Sequence, residues 1–213
     1  MSSAPSGGPA GAGGGPERAP TAADLWKSRV YAGIGARQTP GPFLAQIEEL
    51  GARLARLGWT LRTGMSPGAD QAFYRGALGA GGDVELYLPC PDFQAQARLA
   101  EERGRVRVSE RPTRAAVGLA ARFYLAAPGE AWPTLDECAR ALLARDAHQV
   151  LGRDLDSPAR FVVCWTPAGD RDGRHPRSGG TGQALRVAAA RSLPVFNIAN
   201  PEDLAAVTRV GVA

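Results

Sequence analysis

The sequence predicts an α/β fold: a Rossmann-like three-layer sandwich with a mainly parallel sheet, formed by a single domain. Short, continuously apolar segments alternate along the chain with longer segments in which apolar residues recur at helical spacing. Continuously apolar strands are typical of a parallel sheet that helices cover on both faces, because a sheet with one wet face alternates apolar and polar residues. The chain shows no internal repeat.

The first half of the domain is predicted to run strand, helix, strand, helix, strand. Residues 29–34 are apolar and β-prone and end in glycine, and a helix follows over residues 42–57, with Pro42 at its start and apolar residues on one face. After Gly58 the run "WTLRTG" is the second strand. The run "SPGADQAFYRGALGAG" is a turn into a second helix, and "DVELYLP" is the third strand.

The second half continues this alternation. We predict helices over residues 91–103, 113–126 and 134–150, and a short strand at "RVRVSE" between the first two of them. The run "RFVVCWTP" is a buried strand, and the polar loop 168–177 follows it. The last main helix and the strand "LPVFNIA" come from residues 178–199.

Composition limits the kind of protein. Residues 1–25 are mostly Gly, Pro, Ala and Ser and are predicted to be a disordered tail, whereas residues 26–213 suit one domain. The tail has no apolar signal-peptide core, and no later stretch approaches the ~20 apolar residues of a membrane span. Three dispersed cysteines and two histidines predict neither a disulfide framework nor a metal site, so we expect no metal, no cofactor and a cytoplasmic location.

Three predicted strand ends carry glycine-rich turns that lead into helices, and they are the candidate phosphate-binding site. Ligands bind beyond the carboxyl ends of parallel strands, where glycine lets helix-terminal N–H groups approach a phosphate. Each turn alone also has a steric explanation, since tight strand–helix turns need glycine. The candidate residues are Gly33, Gly35, Arg37, Gly64, Ser66, Gly68, Ser178, Gly179, Gly180, Thr181 and Gly182.

Two familiar nucleotide-binding motifs are absent. The turn "GIGAR" does not complete G-x-G-x-x-G, and no acidic residue follows the second strand at the expected place. No G-x-x-x-x-G-K-[ST] motif occurs, which argues against a Walker-type triphosphatase.

A combination of motifs is more specific than any single turn. The segments "YAGIGARQTP", "LGWTLRTGMSPGADQAFYRGA", "VELYLP", "FVVCWTP" and "GGTGQALRVAAARSLPVFNIA" together resemble the SLOG superfamily. More closely they resemble the DprA-like proteins of phage and bacteria, which take their name from DNA-processing protein A. The resemblance covers most of residues 30–199. It implies a Rossmannoid fold that binds nucleotides, nucleotide-derived ligands or single-stranded DNA, with a role in DNA processing or recombination.

The same superfamily contains LOG-type phosphoribohydrolases, which release a base from a nucleoside monophosphate and resemble P-G-G-x-G-T-x-x-E. Here the glutamate expected a few residues into the helix is missing, and Gln183, Leu185 and Arg186 stand in its neighbourhood. The match to the "GGA-x-G-x-D" pattern of the DNA-processing proteins is better, at residues 64–70, although Met65 replaces the more usual second glycine.

Asp70 is the candidate catalytic residue. At the start of a predicted helix a carboxylate caps free N–H groups, binds a ribose hydroxyl or serves as an acid or base, and all three roles stay open. The loop 168–177 is either a flap that brings arginines to a phosphate or ordinary surface. Trp165 either stacks on a base or packs in the core.

Arginine is concentrated in one part of the chain. Residues 98–122 contain seven arginines and three glutamates, and this local excess equals the net charge of +4 of the whole chain. Such a patch suits phosphate or nucleic acid, and it equally suits a solvated face. The candidate nucleic-acid-binding residues are Arg103, Arg105, Arg107 and Arg111.

These patterns support three functions. The first, which we favour, is binding of a nucleotide or of single-stranded nucleic acid, in a protein that has no membrane partner and could form a homo-oligomer. The second is hydrolysis of an N-glycosidic bond in a nucleotide or in DNA, which needs a carboxylate such as Asp70. The third is an interaction module whose ligand serves as a signal.

Overall fold

In a computed structural model, which describes residues 29–93, 104–124 and 131–210, the strands form one six-stranded, all-parallel sheet. The strand order is β4-β3-β2-β1-β5-β6. The predicted α/β class, the parallel sheet and the single domain are confirmed. The strands are β1 (Val30–Gly35), β2 (Thr60–Thr63), β3 (Val84–Tyr87), β4 (Val106–Ser109), β5 (Val162–Trp165) and β6 (Val195–Asn197).

Six α-helices are described, and five of them were predicted. The sixth is short and begins at a proline after β6. The predicted tail and most of the helix predicted at 91–103 lie outside the described residues. The helices are α1 (Gly41–Arg56), α2 (Ala69–Gly79), α3 (Arg114–Phe123), α4 (Glu137–Leu151), α5 (Gly179–Ala190) and α6 (Pro201–Thr208), with single 3-10 turns at Trp132–Thr134 and Pro176–Ser178.

Helices cover both faces of the sheet, as its apolar strands require. On one face, Tyr31 and Leu61 of the sheet pack with Phe73 of α2 in a core that also includes residues of α1 and α6. On the other face, Ile34 packs with Leu185 of α5 and residues of α4. Helix α3 packs on α4 through buried alanines, which permit close approach of the two helices.

Helices α1 and α2 cross with their backbones in contact. A Cβ atom placed on Gly76 would overlap the carbonyl oxygen of Glu48, and one placed on Gly51 would lie 2.9 Å from the carbonyl oxygen of Phe73. Glycine is therefore needed at both positions for steric reasons. Helix α2 also packs against β1, and its first residue, Ala69, lies beside Gly35 at the carboxyl end of that strand.

The order of the strands reverses at β1. The chain first adds β2, β3 and β4 on one side of β1 and then returns to add β5 and β6 on the other. Connections diverge at this point and leave a crevice beyond the carboxyl ends of β1 and β5, which is where open α/β sheets bind ligands.

Three further observations concern the described residues only. None of their helices has the length and apolar character that a bilayer crossing demands. They contain no group of three His, Cys, Asp or Glu side chains that could hold a metal ion. Cys90, Cys138 and Cys164 are free thiols. The cytoplasmic location stays a prediction.

Candidate functional site

A cavity of about 510 Å³ lies at the reversal point of the sheet. Its walls come from the end of β1, the loop before α2, helix α4 and the start of α5. The polar residues around it divide into an exposed set at the mouth and a buried set at the floor. These two sets differ in what they can bind.

The mouth carries cationic groups and free backbone donors. Arg37 and Arg177 are exposed there, beside Gly179 and Gly180 at the start of α5. The side chain of the N-cap residue, Ser178, makes no capping hydrogen bond to this helix. The first N–H groups of any helix lack an intrahelical partner and carry partial positive charge. A Cβ atom on Gly180 would meet nothing within 4 Å. The mouth can therefore accept an anion.

The floor is organised by Arg145 of α4. Its Nη1 donates to Asp70 Oδ2 at 3.1 Å, and its Nη2 donates to Ser66 Oγ at 2.6 Å. Its Nε lies 3.5 Å from Asp146 Oδ1. Asp70 is 2 % exposed, and Arg145 and Asp146 are each 6 % exposed, so one buried guanidinium lies between two buried carboxyl groups. A side chain on Gly64 would overlap this guanidinium.

Asp70 ties together three segments of the site. Besides its ion pair with Arg145, it accepts a hydrogen bond from the N–H of Ser66 at 3.2 Å and one from the backbone of Gly35. Burial raises the pKa of Asp70, and the charge of Arg145 opposes this rise. The side chain lines the cavity, and its contacts also hold the loop before α2 against the end of β1.

Asp146 has an unusual acidity. The pKa of this carboxyl is raised to about 7, mainly by burial and in part by the carboxyl of Asp70, while Arg145 and Arg186 oppose the rise. A carboxyl that lines the cavity thus exchanges its proton near neutral pH. Groups of this kind are found at functional sites more often than elsewhere.

Gln149, one turn further along α4, lines the cavity with its hydrogen-bonding capacity unused. The residue is 0 % exposed, and neither its Nε2 nor its Oε1 has a hydrogen-bond partner among the described residues. Arg145 Nε is likewise buried without a hydrogen bond there. Buried polar atoms are nearly always hydrogen-bonded, so the floor offers donors and an acceptor for which the described chain supplies no hydrogen bond.

The predicted phosphate-binding residues fall into two groups. Those that line the cavity are Gly35, Arg37, Ser66, Ser178, Gly179, Gly180 and Thr181, and Asp70 lies among them. Gly33, Gly64, Gly68 and Gly182 are not among its lining residues.

Packing accounts for the glycines that do not line the cavity. A Cβ atom on Gly33 would lie 2.7 Å from both Phe73 and Leu61. Gly68 has a φ of +90° and would bring a Cβ atom within 2.6 Å of the carbonyl oxygen of Arg37. Gly182 would place one 3.0 Å from the carbonyl oxygen of Gly173. Close approach of protein to protein explains these positions without a ligand.

The loop 168–177 is held in place by the protein and does not form a free flap. Asp170 accepts hydrogen bonds from Thr166 Oγ1 at 2.9 Å and from the hydroxyl of Ser178. Asn197 Nδ2 donates to the carbonyl oxygen of Asp170 at 2.8 Å. Arg171 donates to Asp203 at 2.7 Å, and so it is engaged with α6 and is not a cavity residue. Only the end of the loop, at Arg177, reaches the mouth.

Three of the four arginines predicted to bind nucleic acid are described, and these three do not line the crevice. Arg103 lies outside the described residues. Arg105 donates to the carbonyl oxygen of Gly81 at 2.7 Å, and Arg107 donates to Glu85 at 2.7 Å. Arg107 lines a different cavity of about 400 Å³, together with Arg62 and Arg153. Arg111 lines neither cavity, although its carbonyl oxygen accepts from Arg153 at 3.2 Å.

The contribution of α4 to the cavity was not predicted from the sequence. Arg145, Asp146 and Gln149 are buried in a helix whose other buried residues are mainly apolar or small. Charged and amide side chains at core-facing helical positions are the signal that could have identified them. Trp165, by contrast, packs against Phe43 with ring centroids 5.6 Å apart and does not line the cavity, so it is a core residue.

Comparison with known proteins gave matches only among solved structures. No protein-family model and no curated protein matches the chain. DNA processing protein A from Streptococcus pneumoniae is 19% identical with a TM-score of 0.47, over 82% of this chain and 51% of that one. The protein of the same name from Helicobacter pylori, described with a single-stranded DNA binding mode, is 17% identical with a TM-score of 0.49, over 82% and 67%.

The Moco carrier protein of Chlamydomonas reinhardtii is also similar, at 18% identity and a TM-score of 0.42, over 79% of this chain and 74% of that one. The present chain spans about half the length of the Streptococcus protein. The structural comparison thus finds DNA processing protein A, whose family the sequence motifs resemble. At these identities the likeness concerns the fold alone.

Proposed function

We propose that this protein binds a nucleotide or a nucleotide-derived ligand in the crevice, with the phosphate at the mouth and the remainder against the floor. The observation that carries the proposal is the uncapped start of α5, where Gly179 and Gly180 present backbone donors in the same cavity as Arg37 and Arg177. Helix N-termini of this kind bind phosphate by combining unpaired N–H groups with the helix dipole.

Size and charge support the same ligand class. The cavity volume of about 510 Å³ lies within the range of roughly 300–1,000 Å³ that is usual for small-molecule sites. Both carboxyl groups of the cavity are buried beside Arg145, whereas Arg37 and Arg177 are exposed at the entrance. An approaching anion therefore meets positive charge first, and a neutral polar group is better suited to the floor.

Single-stranded nucleic acid is less well supported than a nucleotide. Of the predicted arginines that are described, Arg105 lies 3.7 Å from Asp83 and Arg107 lies 2.7 Å from Glu85. Their charge is partly neutralised, and they stand away from the phosphate-accepting mouth. A strand bound across them would not use the features that distinguish the crevice.

Hydrolysis of an N-glycosidic bond is a second candidate function, favoured by one observation. Asp146, with a pKa near 7, can hold a proton for a leaving base or take one from water. Asp70 is less suited to this role because Arg145 and two backbone groups already engage it. Chromatography of free base after incubation with nucleoside monophosphates tests this function. Release of base by wild type that is lost in Asp146→Asn would show that the protein hydrolyses the N-glycosidic bond.

Calorimetric titration with ribose 5-phosphate and nucleoside monophosphates tests the binding proposal. Gly180→Val places a side chain where none is now present, and we expect it to abolish binding while the protein stays folded. Gly118→Val is the matched control, since it also meets nothing within 4 Å and lies outside the cavity. Equal affinities of Gly180→Val, Gly118→Val and wild type would refute the placement of the phosphate at the start of α5.

Gly35→Val, which the sequence alone suggests as an equivalent test, is unsuitable. A Cβ atom there would lie 2.6 Å from the Cβ atom of Ala69, so the change would disturb the packing of α2 on β1.

If oligonucleotides bind instead, affinity should fall with salt at a slope of roughly −0.7 for each phosphate contact. Self-association stays a prediction, which native mass spectrometry of the purified protein tests.

A further inference from the structure

The cavity wall formed by α4 changes in character with depth. Ala139, Leu142 and Leu143 line its outer part and are half-buried. Asp146 and Gln149 follow along the same side of the helix and are buried. An apolar wall thus leads inward to a polar floor. This order suits a flat ring that packs on the wall and presents polar edge atoms to the floor.

At the floor, the amide of Gln149 is the group for which the described protein supplies no hydrogen bond to either polar atom. Gln183, in the neighbouring helix α5, provides a direct comparison because it is also 0 % exposed. Gln183 Nε2 donates to the carbonyl oxygen of Ala120 at 2.9 Å, and its Oε1 accepts from Arg186 at 2.9 Å. Gln149 has neither bond among the described residues. Of the two residues, only Gln149 lines the cavity, and its amide is the one that is buried without a hydrogen-bond partner among the described residues.

A primary amide presents one donor and one acceptor side by side. Nucleobases carry adjacent donor and acceptor atoms at their edges, and amide side chains pair with them through two hydrogen bonds. A sugar phosphate without a base has no such edge and no ring to cover Leu142 and Leu143. A base is therefore the part of a nucleotide that matches both the wall and the floor.

We infer that the inner part of the crevice holds a nucleobase and that Gln149 is the residue that recognises its edge. This inference rests on the proposed function, because it places the base relative to a phosphate at the start of α5. It goes beyond that function by naming which part of the ligand fills the floor and which side chain selects it.

The experiment compares Gln149→Leu with Gln183→Leu and wild type. Thermal melting without ligand comes first: Gln149→Leu, which breaks no hydrogen bond within the described protein, should melt at or above the wild-type temperature. Gln183→Leu should melt several degrees lower, since it removes the hydrogen bonds of Gln183 with the carbonyl oxygen of Ala120 and with Arg186. A larger decrease for Gln149→Leu, or its failure to fold, would overturn the inference by making Gln149 a structural residue.

Calorimetry with ribose 5-phosphate and the four common nucleoside monophosphates follows. We expect at least one monophosphate to bind wild type roughly 10- to 100-fold more tightly than ribose 5-phosphate, the discrimination of a two-bond amide–base pair. Gln149→Leu should remove this preference and leave the affinity for ribose 5-phosphate unchanged.

Other outcomes separate this inference from the proposed function. Equal binding of ribose 5-phosphate and every monophosphate, or a preference that Gln149→Leu retains, would overturn base recognition while leaving the phosphate site at α5 in place. Loss of ribose 5-phosphate binding in Gln149→Leu would also refute it. If no phosphate compound binds wild type, the inference and the proposed function both fail.

Discussion

Asp146→Asn should make the protein more stable above neutral pH. The folded protein raises the pKa of Asp146 from 3.8 to about 7, mainly by burial, so it holds this proton more tightly than the unfolded chain does. Stability from the protonated carboxyl is therefore fully present below pH 3.8 and is lost as the pH rises through about 7. Asparagine has nearly the same shape and cannot ionise.

The size of the effect follows from the two pKa values. Each unit of difference between the unfolded and folded pKa values corresponds to about 1.4 kcal/mol. The difference from 3.8 to about 7 therefore amounts to about 4 kcal/mol. Roughly 2–3 kcal/mol of this is lost between pH 5 and pH 8. The difference in unfolding free energy between Asp146→Asn and wild type should change by that amount over this range, in favour of the variant at pH 8. Arg145 keeps its ion pair with Asp70.

Urea denaturation followed by circular dichroism at pH 5, 6.5 and 8 measures this difference. Asp156→Asn is the matched control, because Asp156 is exposed and lies outside the cavity. The control should follow wild type at all three pH values. A difference between Asp146→Asn and wild type that stays constant with pH would refute the assignment of an ionisation near pH 7 to this carboxyl.

Two further substitutions test the packing that supports the crevice. Arg145→Met leaves Asp70 buried without its ion-pair partner, and we expect a loss of about 3–5 kcal/mol in urea denaturation, most of which Asp70→Asn should restore in the double variant. An additive double variant would contradict this coupling. Gly76→Ala forces α1 and α2 apart and should lower the melting temperature far more than Gly79→Ala, whose Cβ atom meets nothing within 4 Å; equal melting temperatures would show that the crossing is not tight.

The fold was predictable because its signals are local and repeated. Each buried strand is a short apolar run, and each long helix carries its apolar residues at helical spacing. Helix α6 was missed because it has only eight residues, too few for that spacing to be recognised. The available signals were Pro201 at its first position and the acidic residues Glu202 and Asp203 in its first turn.

The site was predicted only in part, for a different reason. Glycine turns at strand ends identify the mouth because their position in a parallel sheet is fixed by topology. The floor depends on how α4 crosses the sheet, which brings Arg145 to Asp70 across 75 positions of sequence. The hydrophobic periodicity of a helix predicts which of its faces is buried, but it does not predict which residues that face contacts. The same limit explains why Gly33 and Gly68 were grouped with the phosphate-binding glycines, although both serve packing.

The hydrogen bonds that hold the loop 168–177 determine how a ligand can associate. Asp170 and Arg171 are engaged by Thr166, Asn197 and Asp203, so the loop that carries Arg177 to the mouth takes its shape when the chain folds. The conformational entropy of ordering the loop is then lost at folding and does not reduce affinity at binding. A ligand meets a mouth at which the segment that carries Arg177 is already ordered. Its rate of association is then set by diffusion and orientation, without a closing step of this loop.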